Sequence, residues 1–315
     1  MTSATTVVLA GGSGLLGRAL AAELTRRGYR VMTLTRRPRP GSETDVAWVP
    51  DGTAGRWAHE LNGAHAVINL AGEGIADKRW TIQRKAALRS SRLLSTRSLV
   101  QAIRGCAAPP PVFISSSAIG YYGPQGDEEV TEDTPPGTDF LAAMCVEWEV
   151  EAKRMGKEWE DGRQKAEDRS RPTRVILLRT GVVLDRNGGA LKEMLLPFRL
   201  GFGAQLGSGR QFMPWIHVAD WVALVAFLLE RRDASGAFNL TAPVPVTNAE
   251  FTRTLARVLR RPALFHAPAF ALRIALGEFA SFLLTGQRVF PARAERLGFE
   301  FRFRELEPAL RDLLR

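Results

Sequence analysis

Thr6-Val7-Val8-Leu9-Ala10-Gly11-Gly12-Ser13-Gly14-Leu15-Leu16-Gly17 is the stretch whose reading decides the fold. TVVLA is short, apolar and rich in β-branched residues, the pattern of a parallel strand buried on both faces. Four glycines or small residues follow. Residues 15–27 then carry Leu16, Leu20 and Leu24 at a spacing of four, one face of a helix, and Gly28 supplies the C-terminal stop. A strand, a glycine turn and a helix in immediate succession predict the first half of a βαβ unit.

Working outward, the same alternation repeats. Strands are predicted at residues 31–35, 65–71 (HAVINLA), 112–115 (VFIS) and 174–179 (RVILLR). Helices are predicted at 80–103, with Leu93, Thr96, Val100 and Ile103 on one face, and at 140–154. Strands alternating with helices in this way predict an α/β, Rossmann-type doubly wound parallel sheet. After Thr180 the pattern changes. Glycines crowd residues 201–209, helices are expected at 218–230 and 248–259, and Phe299, Phe301 and Phe303 alternate as in a half-buried strand. The expected organisation is a Rossmann domain over 1–180 and a small C-terminal α+β substrate lobe over 181–315, interleaved with it. Residues 153–171 (KRMGKEWEDGRQKAEDRSR) are almost wholly polar and read as a charged surface insertion or mobile loop without an active-site role.

Composition narrows the class. A chain of 315 residues with 45% hydrophobic and 24% charged residues buries a core without disulfides. The two cysteines, Cys106 and Cys145, are far apart, and with four histidines they give no metal-ligand spacing. Both read as reduced residues of a cytoplasmic protein. No signal peptide is expected at the N-terminus. Residues 268–284 are apolar but interrupted by Arg273 and Glu278, and fall short of a membrane span; they read as one buried or partner-facing helix. The net charge of +10 is spread among arginines with no basic run interleaved with aromatics, which argues against nucleic acid. The chain carries no signal for oligomeric state.

Gly11-x-x-Gly14-x-x-Gly17 after a strand and before a helix predicts a dinucleotide site. Gly11 permits the tight turn, Gly14 lets a pyrophosphate approach the backbone at the positive end of the helix, and Gly17 lets that helix pack on the sheet. Gly12, Ser13, Leu15 and Leu16 complete the turn. The end of the second strand selects the dinucleotide. It reads Thr35-Arg36-Arg37-Pro38, with no carboxylate for a ribose 2′-hydroxyl and two guanidiniums able to pair with a 2′-phosphate. NADP(H) is the expected cofactor, against the alternative that these are plain surface arginines. Leu70, Ala71 and Gly72 end a later strand with small residues that leave room for adenine and ribose.

These features resemble the extended short-chain dehydrogenase/reductase superfamily: the glycine turn, Asn69-Leu70-Ala71-Gly72, and Ser115-Ser116-Ser117 before Tyr121-Tyr122-Gly123. More narrowly, the chain is similar to the atypical "epimerase family protein" branch. That similarity rests on Arg79-Trp80, Ser91-Arg92, Trp148-Glu149, Arg179-Thr180-Gly181-Val182-Val183-Leu184, Gly207-Ser208-Gly209-Arg210-Gln211, Trp215-Ile216-His217 to Asp220, and Gly286-Gln287-Arg288-Val289. The resemblance implies that Thr35 and Arg36 hold the adenosine phosphate, that Leu70 and Ala71 line adenine and ribose, that Arg92 reaches toward the cofactor and that Val183 contacts the nicotinamide. It also implies a small-molecule substrate of unspecified identity.

Ordinary members of the superfamily pair a Tyr with a Lys four residues on, one helical turn, so that the ammonium lowers the phenol pKa. Here the residues four after Tyr29, Tyr121 and Tyr122 are Thr33, Gln125 and Gly126. The expected helix offers Phe140 with Met144 or Leu141 with Cys145. The remaining candidates for proton transfer are Ser116, Ser117 and Tyr122, with Tyr121 beside them; aromatic packing is the competing reading of both tyrosines. Cys145 as a reactive thiol and His217 as a cleft residue are weaker than their readings as core residues. Two functions therefore stand: an NADP(H)-dependent oxidoreductase or epimerase with unusual proton-transfer groups, or an NADP(H)-binding sensor or partner-binding protein without turnover.

Overall fold

The computed structural model describes residues 5–163 and 173–315, with side chains given for all of these except 156–163. Its centre is a seven-stranded, wholly parallel sheet. In chain order the strands are β1 (Thr6–Ala10), β2 (Arg30–Thr35), β3 (Asp45–Ala47), β4 (Ala66–Asn69), β5 (Val112–Ala118), β6 (Arg174–Thr180) and β7 (Gly236–Leu240). In space they run β7-β6-β5-β4-β1-β2-β3, so the order reverses direction between β1 and β4. In open α/β sheets ligands bind at such a reversal, outside the carboxyl ends of the strands.

Helices cover both faces: α1 (Leu15–Arg26), α2 (Ile82–Arg104), α3 (Phe140–Arg163) and, from beyond a fourth helix α4 (Gly189–Arg199), α5 (Val218–Glu230). Two apolar layers result. Val7, Leu9, Ile114 and Ile176 pack toward α1 and α5; Val8, Val67, Phe113 and Leu177 pack toward α2 and α3. This is the period-two alternation of strands buried on both faces. The C-terminal part adds α6 (Asn248–Leu259), α7 (Ala269–Leu276), α8 (Phe279–Leu284), α9 (Ala292–Arg296), α10 (Leu306–Leu314) and short paired strands. A third core, with Leu195, Phe251, Leu255, Phe303 and Leu310, holds part of this lobe together. α5 and β7, both from beyond residue 180, belong to the central sandwich. No helix among the described residues is long and apolar enough to cross a membrane.

Several expectations need correction. β5 continues to Ala118, so the serines lie within the strand. α2 begins at Ile82 rather than at residue 80, because the Thr81 hydroxyl caps it, accepting from Arg84 N at 3.1 Å. Residues 153–163 continue α3, and Met155 is buried; residues 164–171 of the expected insertion lie outside the described residues. Residues 268–284 form two helices, broken at Gly277, whose φ is +63°. Residues 299–303 form no strand. The Asp220 carboxylate accepts the backbone N–H groups of Arg302 and Phe303, each at 2.9 Å, and so takes the donors a ladder would need.

Candidate functional site

The glycine turn sits at the sheet reversal. Gly11 has φ +80°, and a Cβ there would lie 2.7 Å from the carbonyl carbon of Leu70. The backbone of Leu70 and Ala71 thus abuts the turn directly, held in place by Asn69, whose Oδ1 accepts from Ala71 N at 3.1 Å. Gly17 packs more tightly than expected, and against the turn itself: its Cβ would lie 2.4 Å from the Gly11 carbonyl oxygen. Gly14 differs. It has ordinary extended backbone, φ −71°, and a Cβ there would meet only the Gly11 oxygen at 3.4 Å. The space over Gly14 is open.

Gly14 is also the N-cap of α1. No side chain caps this helix and no acid stands in its first turn. The N-terminal N–H groups and the positive dipole end are left for an anion. Ser13 is exposed, and its carbonyl accepts from the Arg18 guanidinium. Leu15 packs against Gly188, so the entry to α4 covers the same turn, with the half-buried Val183 beside it.

At the end of β2, Thr35 is buried and its hydroxyl accepts from Arg37 N at 3.3 Å. Arg36 and Arg37 are exposed, and neither guanidinium has a partner among the described residues. Arg39 is engaged instead, pairing with Asp45 at 2.8 Å. Two unpartnered guanidiniums beside an uncapped helix suit a ligand carrying phosphates at both places.

Arg92 lies against Gly72 and donates to the carbonyls of Leu88 at 2.9 Å and Glu73 at 3.0 Å. It shapes the loop that leaves β4, and burial pulls its pKa down.

The strand register brings Ser117, Arg179 and Asn239 into one row across β5, β6 and β7. Glu149 of α3 meets them. Arg179 Nε and Nη2 donate to its two carboxylate oxygens at 2.8 and 2.9 Å, and Ser117 Oγ donates to Oε1 at 2.8 Å. Tyr122 donates to Asn239 Oδ1 at 2.6 Å and accepts from Arg179 at 3.0 Å. Burial pushes the Tyr122 phenol up to about 12, against the opposing pull of Arg179. Burial opposes the charge on Arg179 too, but Glu149 and Tyr122 outweigh it and hold its pKa above the ordinary value. The network was missed in the sequence because Glu149 and Arg179 are 30 residues apart and only the register unites them.

The Ser117 and Tyr122 hydroxyls are therefore both engaged inside the protein. Ser116, on the other face of β5, is half-buried. Tyr121 is half-buried; its ring lies 3.5 Å under Arg179, and its hydroxyl has no partner among the described residues. Leu141, Met144 and Cys145 of α3 are buried; burial, with Glu149 nearby, pushes the Cys145 thiol up to about 12, which excludes a ready thiolate. His217 is structural: buried, stacked on Phe303, and capping α5 through Nδ1, which accepts from Ala219 N at 3.0 Å. Among the described residues no cluster of ligating side chains suits a metal.

Comparison with known proteins agrees with this geometry. Residues 7–160 match the NAD dependent epimerase/dehydratase family, and residues 267–313 match a domain of unknown function, DUF1731. An epimerase family protein of Mycobacterium bovis is 40% identical over 306 residues, 96% of either chain. The chain belongs to the epimerase family. Within this family the human protein SDR39U1 is 36% identical over 312 residues, covering 98% of this chain and 99% of its own. A crystal structure of human SDR39U1 with NADPH superposes with a TM-score of 0.86, at 35% identity and 98% coverage of both chains. This agrees with the resemblance to the extended short-chain dehydrogenase/reductase superfamily carried by the glycine turn, Asn69-Leu70-Ala71-Gly72 and the serines before Tyr121-Tyr122-Gly123.

Proposed function

We propose that the chain is an NADP(H)-dependent oxidoreductase or epimerase that works without a Tyr-x-x-x-Lys couple. The observation that carries the cofactor choice is the pair of unpartnered guanidiniums, Arg36 and Arg37, at a strand end with no acid. The open space over Gly14 and the uncapped α1 fit a pyrophosphate. NADPH in the crystal structure of human SDR39U1 supports the same reading. Gly11 to Gly17 would hold the pyrophosphate, Thr35, Arg36 and Arg37 the adenosine phosphate, and Leu70, Ala71 and Gly72 the adenine side. Arg92 positions the loop at Gly72, and Val183 stands toward the nicotinamide. When bound, the nicotinamide supplies hydride.

The chain's own task is to hold a proton near that hydride. Ser116 and Tyr121 are the hydroxyls left available for it, whereas Ser117 and Tyr122 act by positioning Arg179 and the end of β5. The substrate is a small molecule, taken between the carboxyl ends of the central strands and the C-terminal lobe. Calorimetry is expected to give NADPH at least about tenfold tighter binding than NADH, since a charge-assisted bond is worth about 1.5–3 kcal/mol. Arg36→Glu should erase that preference, and equal affinities in the unaltered protein would refute the assignment. Once a substrate is found, Ser116→Ala or Tyr121→Phe should lower turnover by about 10²–10⁴-fold, the usual effect of removing a general acid.

One observation favours a second reading, an NADP(H)-binding sensor or partner-binding protein. The α3 positions of the missing couple are half-buried Phe140, buried Leu141 and Met144, and the buried thiol of Cys145. Tight NADPH binding with no hydride transfer across a broad screen of carbonyl compounds and sugar nucleotides would decide for it.

A further inference from the structure

The two segments 194–210 and 260–277 hold five arginines and no Asp or Glu. They meet in the C-terminal lobe: the parallel strands Ala204–Leu206 and Phe265–Ala267 pair, and the Phe202 and Phe265 rings lie 5.8 Å apart. Around this pair the surface is apolar and protruding. Leu196, Leu200 and Phe202 are 61–67% exposed, Phe265 is 52% exposed and Leu264 is 87% exposed. Pro268 leads from here into α7, of which no residue is buried; Phe270 and Ile274, one turn apart, are 66% and 72% exposed. Monomeric proteins rarely present so many large apolar side chains together.

Arg199, Arg260, Arg261 and Arg273 stand among these residues. All four are exposed, and their side chains make no ion pair or hydrogen bond among the described residues. The combination limits the occupant. A second copy using the same patch would set these arginines against themselves. A carved partner groove suits recessed anchors, but these side chains are 52–87% exposed. An anionic bilayer supplies phosphates for guanidiniums and, beneath them, an apolar layer for protruding Phe, Leu and Ile.

We propose that this face docks peripherally on an anionic lipid surface. The test is flotation of the full chain with vesicles of phosphatidylcholine alone or with phosphatidylglycerol. Binding is expected only with phosphatidylglycerol and should weaken as salt is raised. Phe270→Ser with Ile274→Ser, and separately Leu264→Ser with Phe265→Ser, should reduce it, while thermal melts show each variant folded. Arg260→Gln and Arg261→Gln should each cost about fivefold in partitioning. No flotation with phosphatidylglycerol at low salt, or equal flotation of the serine variants, overturns the proposal. So does a dimer in light scattering that the serine changes dissociate, which would make a second copy the occupant, or capture by an acidic protein in place of vesicles.

Discussion

Gly14 and Gly17 are three residues apart and have opposite physical roles. Gly17 has no room for a methyl group, because the Gly11 carbonyl oxygen would lie 2.4 Å from it. Gly14 has ordinary backbone and open space. Gly14→Val should therefore cost no more than about 1 kcal/mol of unfolding free energy, the effect of a poorer N-cap residue, while abolishing NADPH binding. Gly17→Val should unfold the turn and lower the melting temperature sharply. Thermal melts beside calorimetry separate the two. A Gly14→Val protein that binds NADPH at full affinity would remove the pyrophosphate from this turn.

At the scale of the element, α5 is held at its start by a titratable cap. His217 Nδ1 must be unprotonated to accept from Ala219 N, and burial, against the pull of Asp312 and Asp220, lowers the His217 pKa. The unfolded chain then binds the proton more readily than the folded one. Stability is fully present above the ordinary histidine value of about 6.5 and is lost as pH falls through and below it. His65 is shifted the same way by burial, so both contribute. His217→Asn keeps a capping acceptor but does not titrate. Its melting temperature should fall less steeply between pH about 7 and 5 than that of the unaltered protein. Identical slopes would show that His217 contributes nothing to the pH dependence.

Across the whole molecule, the Arg179–Glu149 pair joins β6 to α3 and, through Tyr122, Asn239 and Glu132, reaches β7 and α9. Glu132 accepts the N–H groups of Asn239 at 3.0 Å and Arg293 at 3.2 Å, and burial raises its pKa. Both charges of the central pair are buried. Removing Glu149 leaves Arg179 without a counter-charge, at a cost of about 3–5 kcal/mol, whereas removing Arg179 leaves Glu149 with Lys153 Nζ at 3.6 Å, and replacing both by apolar residues of like volume is often nearly neutral. Glu149→Leu is expected to destabilise by that amount in denaturant titrations and Arg179→Met by less, and the double variant should lose less than the sum of the two. Additive losses would show that the two side chains act independently.

The chain by itself determined the central fold. TVVLA before the glycine turn, and the later apolar runs, are local patterns that only buried parallel strands with crossing helices satisfy. The glycine turn and the acid-free end of β2 were equally legible, since each lies within a few adjacent residues. Tertiary structure decided what depends on distant partners. Whether Ser116 or Ser117 keeps a free hydroxyl follows from the pleat of β5 and from Glu149 on α3. Phe299, Phe301 and Phe303 have the alternation of a strand, yet a carboxylate some eighty residues earlier in the chain takes the backbone donors, at 2.9 Å. Residues 268–284 are apolar enough to be buried, but burial needs a neighbour, and among the described residues none covers α7. Local pattern records what each segment can bury; only the assembled fold determines what lies opposite.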